Sequence, residues 1–231
     1  MRILLDTANL EDIKYFNTYY PIEGVTTNPT ILSKEGGDVV ALLKEIRKVI
    51  GYNKELHIQV TETEFEKIVE EAELIVSVFG KNTFVKIPAT DVGLRATKAL
   101  TDKGIGVTVT AVLTAAQAML ASNAGADYVA PYISRSENLC ADGIGTVSDI
   151  AEIFKTSGAD TQILAASFKT AKEVLDVAVG GCHAATIGSS IMKMLLAHTT
   201  TDTSIAGFAK DWKKAFGKQS LLELLKADSA K

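Results

Sequence analysis

The chain predicts a protein of the α/β class, folded as a single-domain (β/α)8 TIM barrel, and three observations carry that reading. Eight short runs rich in Val, Ile, Leu and Thr alternate strictly with eight stretches whose apolar residues recur at helical spacing. Such alternation implies a parallel sheet crossed by helices. The 231 residues suit one barrel-sized domain. No G-x-G-x-x-G follows the first run, which removes the main support for an open dinucleotide-binding sheet. The barrel is expected over residues 1–198, with residues 199–231 as a C-terminal helical extension.

Residues 2–7 (RILLDT) form the first strand and end near an acid, after which Asn9 caps a helix beginning LEDIKYF. The second strand, residues 24–28, is stopped by Pro29. A helix from about Gly37 places Val40, Leu43, Ile46 and Ile50 at helical spacing. LHIQV, residues 56–60, is the third strand, and the spacing predicts a helix over 63–79 opened by a Thr63/Glu66 capping box. The fourth strand covers 83–88 and its helix 91–103. The fifth strand covers 107–111, with a helix over 114–123, and the sixth covers 127–132. A glycine-bearing loop, 135–145, leads into a helix that includes 147–156. Strand seven is 162–167, with a helix from Thr170, and strand eight is 184–187, with a helix from Ser189.

The net charge of −4 leaves no basic footprint for nucleic acid or an anionic membrane. Cys140 and Cys182 fit a reduced compartment. The N-terminus enters strand-like sequence without a signal-peptide core, and no apolar run is long enough to span a bilayer. A soluble, cytoplasmic protein is expected.

The chemistry centres on Phe84-Val85-Lys86-Ile87-Pro88. An apolar strand disfavours an ammonium, so Lys86 is a candidate free amine able to attack a carbonyl and form a Schiff base. On the strand alone, a snorkelling or ion-paired lysine is the better reading. The rim of the barrel reverses that. Barrel chemistry sits at the C-terminal ends of the strands, and there the sequence places Asp6, Thr26, Asn28, Gln59, Lys86, Thr110, Tyr132 and Ser167, with Arg135 just beyond. Parity agrees, since Leu4 shares a face with Asp6, Phe84 with Lys86 and Thr108 with Thr110. Arg135, Ser167 and Lys169 make a cationic, hydroxyl-bearing cluster after strands six and seven, suited to a sugar phosphate. His57, His183 and His198 show no metal-ligand spacing, so no metal site is expected. Ser167 lacks a G-x-S-x-G elbow, and no cofactor motif is present.

The segments GVTTNPTIL (24–32), VKIPAT (85–90), TAVLTAAQA (110–118), AGADYVAPYISR (124–135) and ILAASFKT (163–170) resemble the small transaldolase-like aldolases, most closely the fructose-6-phosphate aldolases. The resemblance implies a metal-independent, cofactor-free class I aldolase acting on a sugar phosphate. Lys86 is then the Schiff-base lysine, Asp6 the proton-handling acid, and Thr26 and Asn28 substrate contacts. Gln59, Thr110 and Tyr132 would hold a proton-shuttling water. Transaldolases of the family resemble one another in carrying an acid where this chain has Gln59 and a phenylalanine where it has Tyr132. That difference favours cleavage over transfer. Readings of a different class are an isomerase or epimerase, and a non-catalytic sugar-phosphate binding protein.

Past the barrel, Ile205, Phe208, Trp212 and Phe216 fall on one helical stripe, and SLLELL carries a second apolar face. A helix folded back on the barrel wall accounts for the first. The resemblance implies a ring-like homo-oligomer with exchanged C-terminal helices, a decamer being one candidate size.

Overall fold

Eight parallel strands pair in sequence order, and the eighth returns to the first to close a barrel. The computed structural model describes residues 1–229. The strands are β1 (Arg2–Asp6), β2 (Gly24–Thr26), β3 (Glu55–Gln59), β4 (Thr83–Pro88), β5 (Val107–Val112), β6 (Tyr128–Pro131), β7 (Gln162–Ala165) and β8 (Ala184–Ile187). Between them run α1 (Leu10–Tyr19), α2 (Pro29–Glu35), α3 (Val39–Ile50), α4 (Phe65–Phe79), α5 (Asp91–Thr101), α6 (Ala115–Asn123), α7 (Ile133–Asn138), α8 (Gly143–Ser157) and α9 (Ala171–Val179). After the last strand come α10 (Ser189–Leu196), α11 (Thr199–Phe216) and α12 (Leu221–Asp228). The chain divides into two compact units, Met1–Met192 and Lys193–Lys231.

Alternation along each strand builds two apolar layers from one sheet. Leu5, Val25, Val85, Ile87, Val109, Val129, Ile163 and Ile187 are all fully buried and point to the helices. Leu4, Tyr128, Leu164 and Ala184 pack together inside the barrel with Phe84 against them. Fully burying each such aliphatic side chain stabilises the fold by about 1.5–3 kcal/mol. Close approach depends on two glycines. A Cβ at Gly93 on α5 would lie 2.1 Å from the Pro88 carbonyl oxygen, so only glycine lets α5 seat on the end of β4. A Cβ at Gly106 would lie 2.8 Å from the Phe84 ring.

Three expected elements differ. Strand two ends at Thr26, and Pro29 opens a helix instead of only stopping a strand. Proline suits that first helical position because its missing N–H would have been unpaired there, and Asn28 caps the helix by accepting from Ile31 N at 2.9 Å. The Thr63/Glu66 capping box does not form, because α4 begins at Phe65 after an N-cap, Glu64, with no side-chain cap bond. Glu71 on α4 secures the preceding loop instead, accepting from the backbone N–H groups of Thr61 and Glu62 at 2.9 Å. The expected loop after Tyr132 contains α7, whose Ser136 hydroxyl donates to the Tyr132 carbonyl at 2.7 Å. Short polar helices of this kind leave too few residues for a periodic signal.

In the second unit, Trp212 Nε1 donates to the Gln219 carbonyl at 2.8 Å and its ring lies 4.5 Å from that of Phe216. Ser220 and Glu223 form a capping box on α12. Ile205, Phe208, Phe216, Leu222 and Leu225 are exposed. Among the described residues, no helix is long and apolar enough to cross a membrane.

Candidate active site

The inward parity of β4 places Lys86 inside the barrel, level with Gln59 on β3 and Thr108 on β5. Only 5% of Lys86 is exposed. Its Nζ donates to the Thr27 carbonyl at 2.7 Å and has no other hydrogen-bond partner among the described residues. Burial lowers the Lys86 pKa, and the charge of Asp6 partly opposes that shift. Asp6 is pushed the other way. Burial raises its carboxyl, against the pull of Lys86, the Thr26 hydroxyl and, more weakly, Lys34. Both shifts favour uncharged forms, so the amine is more available as a nucleophile than a solvated lysine would be.

Asp6 is held by its neighbour in the sheet. Register pairs it with Thr26 on β2, and the Thr26 hydroxyl donates to Asp6 Oδ1 at 2.7 Å. The same hydroxyl lies 2.6 Å from the Thr186 hydroxyl on β8. Three strands thus fix one carboxylate by hydroxyl contacts, which leaves its second oxygen for a ligand.

On the opposite side of the rim, Thr110 Oγ1 lies 3.3 Å from Tyr132 Oη. Tyr132 is tied in by its backbone, donating to the Val112 carbonyl at 3.0 Å, and the Arg135 guanidinium sits 4.8 Å from its ring centre. The first turn of α7 is anchored to the end of β7, since Ile133 N donates to Ala166 O at 3.0 Å and Ser134 N to Ser167 O at 2.9 Å. Arg135 and Ser167 therefore start from one joint segment of the rim. Two non-glycine residues adopt left-handed backbone there, Ala111 at φ 57° and Ser167 at φ 66°. Such geometry costs of order 1–3 kcal/mol and clusters at functional sites. At Ala111 it coincides with a register shift in β5 between Val109 and Val112, next to Thr110.

The expected residues do not all converge. Lys86, Asp6 and Thr26 are linked by contact or charge, and Thr110, Tyr132 and Arg135 form a second connected group. Gln59 is half-buried beside Lys86 in register. Asn28 stands at the rim with its carboxamide oxygen committed to capping α2. Lys169 is exposed, and its side chain makes no hydrogen bond or ion pair with any described residue; its backbone N–H goes to Glu173 Oε2 at 2.7 Å. Two contributors were not singled out from the sequence: the Thr27 carbonyl and Thr186. The carbonyl has no sequence signature at all. Thr186 was detectable by parity, sharing its face with the interior residue Ala184 two positions before it.

The transaldolase/fructose-6-phosphate aldolase family model matches residues 3–228. A chain named "Probable transaldolase" from Clostridium acetobutylicum is 39% identical over 94% of this chain and 100% of its own length. Another of that name, from Brevibacillus brevis, is 40% identical over 92% of this chain and 98% of its own. A "Probable fructose-6-phosphate aldolase" from Streptococcus pneumoniae is 38% identical over 92% of this chain and 96% of its own. Among solved structures, one described as "Native KDPGal structure" superposes with a TM-score of 0.56 over 81% of each chain at 14% identity, a likeness of fold alone. A barrel with a buried lysine on its fourth strand, matched along almost its whole length, belongs to the transaldolase/fructose-6-phosphate aldolase family.

Proposed function

We propose that this family member is a class I aldolase that reversibly cleaves fructose 6-phosphate into dihydroxyacetone and glyceraldehyde 3-phosphate. The observation that carries the reading is the buried Lys86 amine, singly hydrogen-bonded and opposite Asp6. In the cleavage direction the amine attacks the ketose carbonyl, water leaves, and the resulting iminium draws electrons from the C3–C4 bond. Asp6 takes the proton from the C4 hydroxyl as that bond breaks, and glyceraldehyde 3-phosphate departs. Protonation of the remaining enamine and hydrolysis then free dihydroxyacetone and restore the amine. A water held by Gln59, Thr110 and Tyr132 serves those last proton transfers. Gln59 is neutral and can only orient it, so the phenol of Tyr132 takes the larger share. The transferase reading is favoured by the names of several relatives, and it differs only in the fate of the enamine. Two rates separate them: glyceraldehyde 3-phosphate release from fructose 6-phosphate alone, and sedoheptulose 7-phosphate formation after erythrose 4-phosphate is added. Release without a second aldose is expected. Product appearing only with the second aldose makes the protein a transaldolase.

Arg135 and Ser167 are proposed to bind the phosphate. Arg135 is exposed and free of carboxylates among the described residues. Arg135→Ala is expected to raise KM for phosphorylated substrates at least tenfold, since a charge-assisted contact is worth about 1.5–3 kcal/mol. Unphosphorylated donors and acceptors should be spared, and equal losses on both would make Arg135 structural. Lys169 is the weakest member of that set.

The exposed apolar side chains of α11 and α12 support an oligomer arm reading for the second unit. Removing the chain after Gly217 is expected to lower the sedimentation coefficient of the assembly, and an unchanged profile would exclude the arm.

A further inference from the structure

Below the rim, the barrel interior holds a polar chain that the proposed reaction does not use. His57 on β3 is fully buried. Its Nδ1 lies 2.8 Å from Thr108 Oγ1 on β5, and its Nε2 lies 3.1 Å from Glu55 Oε2. Register places His57 level with Phe84, and Thr108 level with Lys86. The His57–Thr108 bond therefore crosses the inner face of β4 between Phe84 and Lys86. It passes directly beneath the lysine. The imidazole stacks on the Phe84 ring at 4.8 Å and 18°, and meets Tyr128 edge-on at 5.3 Å.

Glu55 decides which proton His57 carries. Its other oxygen accepts from Arg2 Nη1 and from Tyr128 Oη, both at 2.8 Å. Burial alone would raise the Glu55 carboxyl, but hydrogen bonds from His57, Tyr128 and Arg2 hold it well below the usual carboxylate range. A carboxylate can only accept, so His57 must donate Nε2–H to it. Nδ1 then bears a lone pair, and Thr108 donates to it. The charged or titratable groups facing His57 are Glu55 on its own strand, Arg2 on β1, Lys86 on β4 and Tyr128 on β6. Burial lowers its pKa, Glu55 opposes this, and Lys86 and Arg2 reinforce it. The lowered pKa favours the neutral ring. Facing Lys86 are Asp6 on β1 and His57 on β3.

Resting on the Schiff-base reading, we infer that Glu55, His57 and Thr108 form a hydrogen-bonded floor under Lys86 whose upper members, His57 and Thr108, are uncharged, and that this floor holds the lysine ready to attack by keeping water out of the space beneath it. His57 is in this account a positioning residue. Phe84 and Tyr128, the two rings packed on it, also line a cavity of about 590 Å3 shared with Asp127 and Gln162 at the N-terminal end of the strands. Without the floor, that cavity is the route by which water reaches the lysine from below.

The experiment follows the rate of borohydride-trapped imine formation with dihydroxyacetone against pH, in the wild type, His57→Ala and Thr108→Val. Opening the floor relieves desolvation of the ammonium, so the midpoint should move to higher pH. A shift of about one unit, a tenfold slower attack near neutrality, is expected for His57→Ala, and a smaller shift in the same direction for Thr108→Val. A role in packing alone would lower Tm and leave the midpoint where it is. The tautomer is read separately in the wild type from 15N–1H correlations of its imidazoles: Nε2–H with bare Nδ1, unchanged from about pH 7 to about pH 8. If His57→Ala does not fold, the Thr108→Val midpoint and the tautomer decide. Unmoved midpoints in the folded variants, or an Nδ1–H or charged His57 in that window, overturn the floor. Absence of trapping in the wild type overturns the aldolase reading itself, and is thereby distinguished from failure of the floor alone.

Discussion

Lys86→Ala is expected to abolish carbon–carbon cleavage while the barrel still folds. Without the amine no iminium forms, and the remaining groups have no electron sink to act on. Removing a covalent nucleophile typically costs four or more orders of magnitude in turnover, on the order of 10⁴–10⁶. The fold should survive because the ammonium is a liability to it. Burial lowers the Lys86 pKa, and a group whose folded pKa lies below its unfolded value opposes folding wherever the unfolded chain holds the proton. With Lys86, stability therefore rises with pH up to the ordinary lysine range; without it, that dependence disappears. Far-UV circular dichroism matching the wild type, with no glyceraldehyde 3-phosphate released, is the expected pair of results. Residual turnover above background would refute the imine mechanism.

Asp6→Asn is expected to separate two steps that the wild type joins. General acid–base assistance is worth about 10²–10⁴-fold, and kcat for fructose 6-phosphate should fall by that order. Attack on the carbonyl should respond differently. Asp6 raises the Lys86 pKa against the effect of burial, so its removal lowers that pKa further. The pH profile of imine formation then moves to lower pH, opposite to the shift expected on opening the His57 floor. Asparagine keeps the acceptor for the Thr26 hydroxyl, which preserves the local geometry. A variant whose imine profile stays in place would show that Asp6 is not the counter-charge of the lysine.

The sequence made the barrel legible because strand and helix periods differ, and because a strand that ends at its polar residue marks the rim. The inward placement of Lys86, Asp6 and Thr110 follows from parity, since each lies two residues beyond an interior apolar or hydroxyl residue of its own strand. Tyr132 is legible in the same way, although β6 ends one residue earlier and only an isolated bridge to Ala166 carries the pairing on. Other features lay beyond pattern. Asn28-Pro29 reads equally as a strand stop and a helix start, and only the contact to Ile31 N decides. The expected Thr63/Glu66 cap is absent, and Glu71, ten residues from Thr61, instead holds the preceding loop from within the helix, a contact that no local motif marks. The backbone carbonyl that holds Lys86 belongs to Thr27, just past the end of β2 and two strands away from β4, a partner brought close by the curvature of the barrel and invisible to composition. His57 shows no metal-ligand spacing, and the contacts that hold it, to Glu55 two residues before it and to Thr108 two strands away, leave no motif in the sequence.

The most direct test of the account is a mass measurement. The protein is incubated with dihydroxyacetone or fructose 6-phosphate, reduced with borohydride, and analysed intact and after proteolysis. The account predicts one reduced adduct per chain, of the mass of the imine-linked sugar unit, on the peptide containing Lys86, and none in Lys86→Ala. An unmodified wild-type protein, or an adduct on another lysine that persists in Lys86→Ala, would contradict it.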